Sequence, residues 1–587
     1  MPPKRSISTQ GGSSRSSRPS KRYRAAGIGA PSADDAAAAS PRLAQAQALA
    51  ERAGGGASYL AVKPLPQTVK SLRETSLRVA ARGLYESVRI PSKEATAGSA
   101  GKQAGANLGW DPDRDVARFE DAQQIRAFIR TLPVEIANRL LRLVLDLTTN
   151  TSFDEPTDPG VSVMSIAMLF FHPNTTKLSL SGMAAPALLV SRIPQCTALA
   201  HLDLSGHVAL RDPILAKVVA QLPTLESINL KGCTKVGDQT LVALSKASED
   251  RLRVVNLSLT AVSIKGLTSL LARCKNLEVL KLANVQGLNE RNVSRWITEA
   301  TDAALGWRHV PLSRLKTLKV RATEFTDASI GRLLSLCAPT VERLDVSYSG
   351  LKTLDFISSA LHTLPEWKLV KLVASGLPLT PATLQGFFDP LAGRPDEERR
   401  RFSVLKLGSL PASSTKAPGL TDAVLAKLMS SLEKLDGLDK VSLFQNWGLG
   451  KLSQPLSRFV EVIGRKCTYL DLTLPVESHH LEGLLPPLDA DEASAQEDST
   501  PFEPPRIQTL ILDSSRITDE AAGAVSACRD LRSLHVAETR ISTKFLATVL
   551  SSCPDLAQLN LTSCRGVPVT QRRNFFEAWA KGEVTPA

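Results

Sequence analysis

One short apolar signature recurs fourteen times between Lys177 and Leu561, and it constrains the fold more than anything else in this 587-residue chain. Its form is L-x-x-L-x-L. The clearest copies are Leu199-Ala-His-Leu202-Asp-Leu204, Leu225-Glu-Ser-Ile228-Asn-Leu230, Leu277-Glu-Val-Leu280-Lys-Leu282, Leu531-Arg-Ser-Leu534-His-Val536 and Leu556-Ala-Gln-Leu559-Asn-Leu561. Counted from the second apolar residue, the copies fall at 178, 202, 228, 255, 280, 318, 344, 372, 405, 441, 470, 510, 534 and 559, with most steps 24 to 29 residues. In a strand, alternation sends the apolar residues to one side and the intervening ones to the other. A step of this length holds that strand and one returning helix, so a single coil cannot bury its apolar side without neighbours. The expected product is a quasi-linear stack with a long curved surface, suited to binding rather than bond chemistry.

The pattern resembles the leucine-rich repeat, and the cysteines refine that resemblance. Cys196, Cys274, Cys528 and Cys553 each precede the same strand leucine by three residues, and Cys337 stands in the equivalent place with one extra residue. Cys233 and Cys564 each follow the second apolar position of their copy by five. These resemble the two buried cysteine positions of the cysteine-containing subclass, where a thiol acts as a small apolar group. No paired C-x-x-C spacing suggests a metal or a disulfide, so reduced core cysteines are expected. The resemblance implies an α/β horseshoe solenoid of ribonuclease-inhibitor type with about 14 repeats, occupying 176–587 and closed by a short helix around Phe575, Phe576 and Trp579. Copies that read Thr326-Asp327, Thr421-Asp422, Thr518-Asp519 or Gly237-Asp238 mark helix starts, Thr capping the helix and the acid suiting its dipole.

The rest of the chain is organised differently. Residues 1–60 are rich in Ser, Gly, Ala, Arg and Pro and cannot build a core, so a disordered tail is expected. Seven basic residues and no acid lie in the first 24 positions, and removing them takes the net charge from +13 to +6. Lys4-Arg5 and Lys21-Arg22-Tyr-Arg24 resemble a bipartite nuclear import signal, which leaves nucleus and cytoplasm both open. No apolar run reaches the ~18 residues a membrane span needs. Residues 61–175 read as a helical region that covers the first coil: a helix from Gln67 to Val88, a Gly/Ala/Lys linker from Pro91 to Leu108, one or two helices from Val116 to Leu147, and a short helix from Ser162 to Phe171.

No phosphate loop, H-E-x-x-H pair, nucleophile elbow or dinucleotide fingerprint occurs, so no catalytic residue, metal site or cofactor is assigned. Gly448-Leu-Gly-Lys451 is too short for a phosphate loop, and His479-His480 reads as an exposed loop pair without further ligands.

Two segments ahead of the repeats suggest partners. Ser71-Leu-Arg-Glu-Thr-Ser-Leu-Arg-Val-Ala80 would place Leu72, Ser76, Val79 and Ala80 on one helix face. It resembles the elongin C-binding box of cullin ligase receptors, matching at Ser71, Leu72 and Ala80 and departing at Ser76, where that box carries Cys. Leu132-Pro133-Val-Glu-Ile136-Ala-Asn-Arg-Leu140 resembles the cullin-recognition box that follows. Box, second helix and then leucine-rich repeats is the order of Zyg/Zer-type substrate receptors of elongin–cullin ubiquitin ligases. The linker between the two segments is longer than such receptors have. The resemblance implies an elongin C-like adaptor on Leu72, Ser76, Val79 and Ala80, and a cullin near Leu132, Pro133, Ile136 and Leu140. The second segment also resembles the start of an F-box, which implies an SCF adaptor instead, although residues 148–160 lack the usual F-box ending. Helices that merely cap the stack are the plain alternative.

The outward strand positions carry one trend. Lys281, Lys319, Arg321, Arg343, Lys371, Lys406 and Lys440 come from six consecutive copies, opposed chiefly by Asp345. A basic concave stripe favours an acidic or phosphorylated protein partner. Nucleic acid is disfavoured because Phe444 and Tyr469 are the only aromatic residues among the positions counted.

Overall fold

Each copy of the signature forms a strand of three residues. In the computed structural model, which describes residues 60–62, 72–88, 122–149, 167–182, 187–301, 312–411, 419–486, 503–568, 570–572 and 576, fourteen such strands run from β2 (Lys177–Ser179) to β15 (Gln558–Asn560). Every one pairs in parallel with the next in chain order. Central apolar residues stand opposite one another, as Leu178 with Leu202, Leu318 with Leu344 and Leu534 with Leu559, and all are buried. Helices such as Asp238–Ala247 and Ile264–Arg273 return the chain along the outside and bury Leu241, Leu244, Leu267 and Leu270 against the backs of the strands. This is the α/β leucine-rich repeat solenoid.

The strands stop early for a backbone reason. At the fourth residue past the strand centre the chain turns left-handed, at Gly182, Gly206, Gly232 and Gly376 but also at Leu259, Asn284, Ala322, Tyr348, Ser409, Gln445, Ser514, Glu538 and Ser563. A side chain in that region costs about 1–2 kcal/mol. Neighbouring coils over-determine it: the amides of Leu259, Tyr348 and Glu538 donate to Ala283, Ser375 and Thr562 of the next coil. Asp203, Asn229, Asn256, Asp345, Asp471 and Asn560 brace the same turn, each accepting the N–H two residues on.

The acids stand in the first turn of the helices that the sequence reading placed there, and they also reach beyond their own helix. Thr326 caps its own helix by accepting from the Ser329 amide, but Thr421 and Thr518 make no such bond. The acids reach to the following coil. Asp212 accepts from the amides of Gln239 and Thr240, Asp238 from Ser263, Asp327 from Lys352 and Thr353, Asp422 from Gly450, Lys451 and Leu452, and Asp519 from Ser542. Each carboxylate thereby satisfies amides at the start of the next coil's helical side, which would otherwise lack partners.

Both edges of the sheet are covered. At one end lie α1 (Leu72–Val88), α2 (Ala122–Thr131) and α3 (Val134–Thr149), with α1 packed on α3 and α3 on β2. Asn138 of α3 pairs with the edge strand as another strand would: its amide donates to the Lys177 carbonyl at 2.9 Å and its oxygen accepts from the Ser179 N–H at 3.2 Å. At the other end β1 (Leu60–Val62) runs antiparallel to β15, Leu60 opposite Asn560 and Val62 opposite Gln558. The helical reading of 61–175 missed this strand. Nine residues lie between Val62 and Leu72, ten chain steps that span at most about 35 Å. The sheet from β2 to β15 measures roughly 62 Å along its contour at ~4.8 Å per strand, so it must curve to bring its two covered edges within that reach.

The tail before Leu60, the linker 89–121, the acidic insertion 487–502, and Phe575 and Trp579 lie outside the described residues. Phe576 is helical and packs on the core.

Candidate functional site

The concave face is built by residues on either side of each buried strand leucine. Six of the seven basic residues fall there by alternation, and Arg321 continues the line one step past its strand. On β6 (Val279–Lys281), β7 (Thr317–Lys319), β8 (Arg343–Asp345), β9 (Lys371–Val373) and β10 (Val404–Lys406), Lys281 stands directly opposite Lys319 and Arg343 opposite Lys371. Lys440 is exposed on the next strand and Lys406 is half-buried. Neighbouring strands are about 4.8 Å apart, so these charges feel one another. Burial, then Lys319 and Lys231, lower the pKa of Lys281. Burial and Lys406 lower that of Lys371, with Asp345 opposing.

Asp345 does not neutralise this stripe. One of its oxygens lies 3.4 Å from Lys319, while the other accepts from both the amide and the hydroxyl of Ser347 in the turn. Among the described residues no carboxylate lies within ion-pair distance of Lys281, Arg343, Lys371, Lys406 or Lys440.

Aromatic rings are interleaved with the cations more fully than the strand positions alone indicated. The Arg321 guanidinium lies 5.2 Å from the Tyr348 ring centre and the Lys406 ammonium 4.8 Å from that of Tyr469. Burial, then Asp471, push the Tyr469 phenol up to about 12. The Tyr348 ring covers Gly376 and the Phe444 ring covers Gly408, so closely that neither glycine has room for a side chain. Tyr348 and Lys231 escaped the sequence reading because the inward-facing surface continues past the strand into the left-handed turn. The signal that finds them is position: Lys231 and Arg321 both stand three residues after the strand centre, and Tyr348 four.

Toward its N-terminal end the face deepens into a hollow of about 600 Å3, walled by Glu135, Asn138, Arg139 and Arg142 of α3 and reaching as far as Lys281.

The residues assigned to adaptors are divided by their own helices. On α1, Ser76 is exposed and Val79 is 67% exposed, whereas Ala80 turns inward with Leu77, Ala81 and Leu84 and packs on the core. Leu72 is the first residue of α1, and its side chain lies outside the described ones. Around α3, Pro133 is exposed and Ile136 half-exposed, Leu132 packs partly on the core, and Leu140 is wholly buried beside Leu141 and Val144. Ala80 and Leu140 thus face their own core instead of a visitor, because four-residue spacing on each helix aligns them with its buried stripe.

The pair His479-His480 is not an exposed loop pair. His480 is buried and accepts the Glu477 amide at 2.9 Å, and burial, then His479, lower its pKa. Among the described residues no three His, Cys, Asp or Glu side chains converge as a metal site. The amides of Gly448-Leu-Gly-Lys451 do face an anion, but it is the chain's own Asp422. All eight cysteines are buried and unbridged, and burial raises the thiols of Cys274, Cys337 and Cys467 to about 12. No described helix is long and apolar enough to cross a membrane.

No protein-family model matches the chain, and no curated protein matches it in sequence. Among solved structures it is similar to the Rad7 and Elc1 complex in yeast, at 16% identity and a TM-score of 0.44 over 76% of this chain and 94% of that one. It is also similar to an internalin from Listeria monocytogenes, at 15% and 0.36 over 72% and 94%. A third is the plant peptide hormone receptor RGFR1 in complex with RGF2, at 13% and 0.28 over 69% and 64%.

Proposed function

We propose that this chain is a partner-recognition scaffold whose concave face holds an acidic or phosphorylated protein, and that it works as the substrate-receptor subunit of a cullin–RING ubiquitin ligase. The observation that carries the docking part is the run of cations from Lys281 to Lys440, opposed chiefly by Asp345, which is already engaged by Lys319 and Ser347. Charge-assisted bonds to an anionic partner would relieve their mutual repulsion. The chain would make and break no bonds itself. It would raise the effective concentration of the target near a ubiquitin-loading enzyme.

The ligase part rests on the two boxes ahead of the repeats and on the outward Ser76 and Val79, which would meet an elongin C-like adaptor. Pro133 and Ile136 would approach the cullin. Co-purification of the full chain from cells tests both parts. Val79→Asp is expected to remove the adaptor and cullin and to leave captured targets in place, while Lys319→Glu with Lys371→Glu removes the targets and leaves the adaptor. Recovery of an SCF adaptor insensitive to Val79→Asp would favour the F-box version. A second reading, a scaffold without ligase partners, draws support from the inward turn of Ala80 and Leu140 and from Asn138 at the sheet edge. It predicts that Val79→Asp changes no partner at all.

A further inference from the structure

Apart from Arg321, seated over Tyr348, and Lys440 on the strand after β10, the cations of the concave face fall into two groups. Lys281 on β6 and Lys319 on β7 are direct neighbours, with Lys231 close enough to repel Lys281. Arg343, Lys371 and Lys406 come from β8, β9 and β10, with Arg343 directly opposite Lys371. Between the groups stands Asp345, held by the Ser347 turn and by Lys319. Asp345 is flanked by Lys319 on β7 and by the neutral Val373 on β9, and Arg343 of the second group faces the neutral Thr317 of β7.

From these positions we infer that the concave face carries two separate phosphate subsites, one at Lys281 and Lys319 and one at Arg343, Lys371 and Lys406, and that it reads a peptide phosphorylated twice at a spacing of four residues. The inference rests on the docking reading above and makes it specific. Two and a half strand spacings separate the group centres across the sheet, roughly 12 Å at ~4.8 Å each. The small offset along the strands brings the separation to about 13 Å. An extended peptide crossing the strands advances about 3.3 Å per residue, so four residues cover that distance. An even number also places both side chains on the same face of the peptide. Each phosphate brings a charge of about −1.5 to −2 and three acceptor oxygens to a group of two or three cations, which a single carboxylate cannot match.

Asp345 argues against a nucleic acid in the same place. A single strand bears a phosphate at every nucleotide, so one would face this carboxylate, whereas a peptide can present a neutral residue there. Tyr348 and Tyr469, engaged by Arg321 and Lys406, help fix the guanidinium and ammonium groups rather than offer open stacking platforms.

Fluorescence anisotropy with the full chain tests the inference. The probes are synthetic peptides carrying two phosphoserines two, four, six or eight residues apart, a singly phosphorylated control, a control with glutamates for phosphoserines, and a single-stranded oligonucleotide. The four-residue spacing is expected to bind at least tenfold more tightly than the singly phosphorylated and glutamate peptides. Lys281→Glu or Lys371→Glu alone should reduce it to the level of the singly phosphorylated peptide. These lysines are solvent-facing, and unchanged thermal melts would confirm that the variants fold. Equal affinity at every spacing, or tighter binding of the oligonucleotide, would overturn the two-subsite inference. If that happens while Lys319→Glu with Lys371→Glu still abolishes target capture from cells, docking on the concave face stands and only the spacing fails. If neither phosphopeptides nor targets respond to these lysines, both fall.

Discussion

Asp422 shows how a single residue can do more than its neighbours in sequence disclose. Thr421-Asp422 starts a helix, as read, and the buried carboxylate also takes three amides of the next coil, those of Gly450, Lys451 and Leu452. Replacing it with alanine strands three donors, the buried amide of Gly450 among them, so a loss of about 1–3 kcal/mol is expected. Urea unfolding would read that loss, and amide exchange should place it at residues 450–452. The cysteines behave as their spacing foretold. With thiols pushed up to about 12 at Cys274, Cys337 and Cys467, native protein should react with a maleimide far more slowly than unfolded protein. Rapid labelling of the folded chain would contradict their burial.

His480 adds a pH dependence of definite sign. Its neutral ring accepts the Glu477 amide, and burial holds its pKa below the ordinary 6.5. Below pH 6.5 the unfolded chain takes up this proton before the folded one does, so the contribution is complete above that pH and fades as pH falls toward the lowered value. His362, also lowered chiefly by burial, acts in the same direction. The melting temperature should therefore drop between pH 7 and pH 5, and His480→Gln should remove part of that drop. A variant with an unchanged pH profile would clear His480 of this role.

At the scale of elements, what was legible followed from periodicity. All fourteen strands of the array sit where the alternation placed them, because each leucine at a two-residue interval must be buried. The span read as one or two helices, Val116 to Leu147, holds two, α2 and α3, parted at Leu132-Pro133. Side-chain identity did not disclose the left-handed turns, since Leu259, Tyr348 and Glu538 adopt a backbone better suited to glycine under the constraint of the next coil. Nor did it disclose Asn138, whose part as a substitute strand depends on α3 lying against β2. Asn138→Ala should leave the Lys177 carbonyl and the Ser179 amide without their partner and cost about 1–3 kcal/mol. Faster amide exchange confined to the first coils would be its signature. On the concave face the strand cations were legible by alternation, whereas Tyr348 and Lys231 required knowing how the chain leaves the strand.

At the scale of the whole molecule, a stack of repeats normally has two independent ends, each free to fray, because every coil touches only its neighbours. Here the pairing of Leu60 with Asn560 joins positions five hundred residues apart. During synthesis the first of these partners emerges long before the second exists. That edge of the sheet can be finished only once all fourteen strands of the array have been made, so the far rim closes after every intervening turn has been laid down.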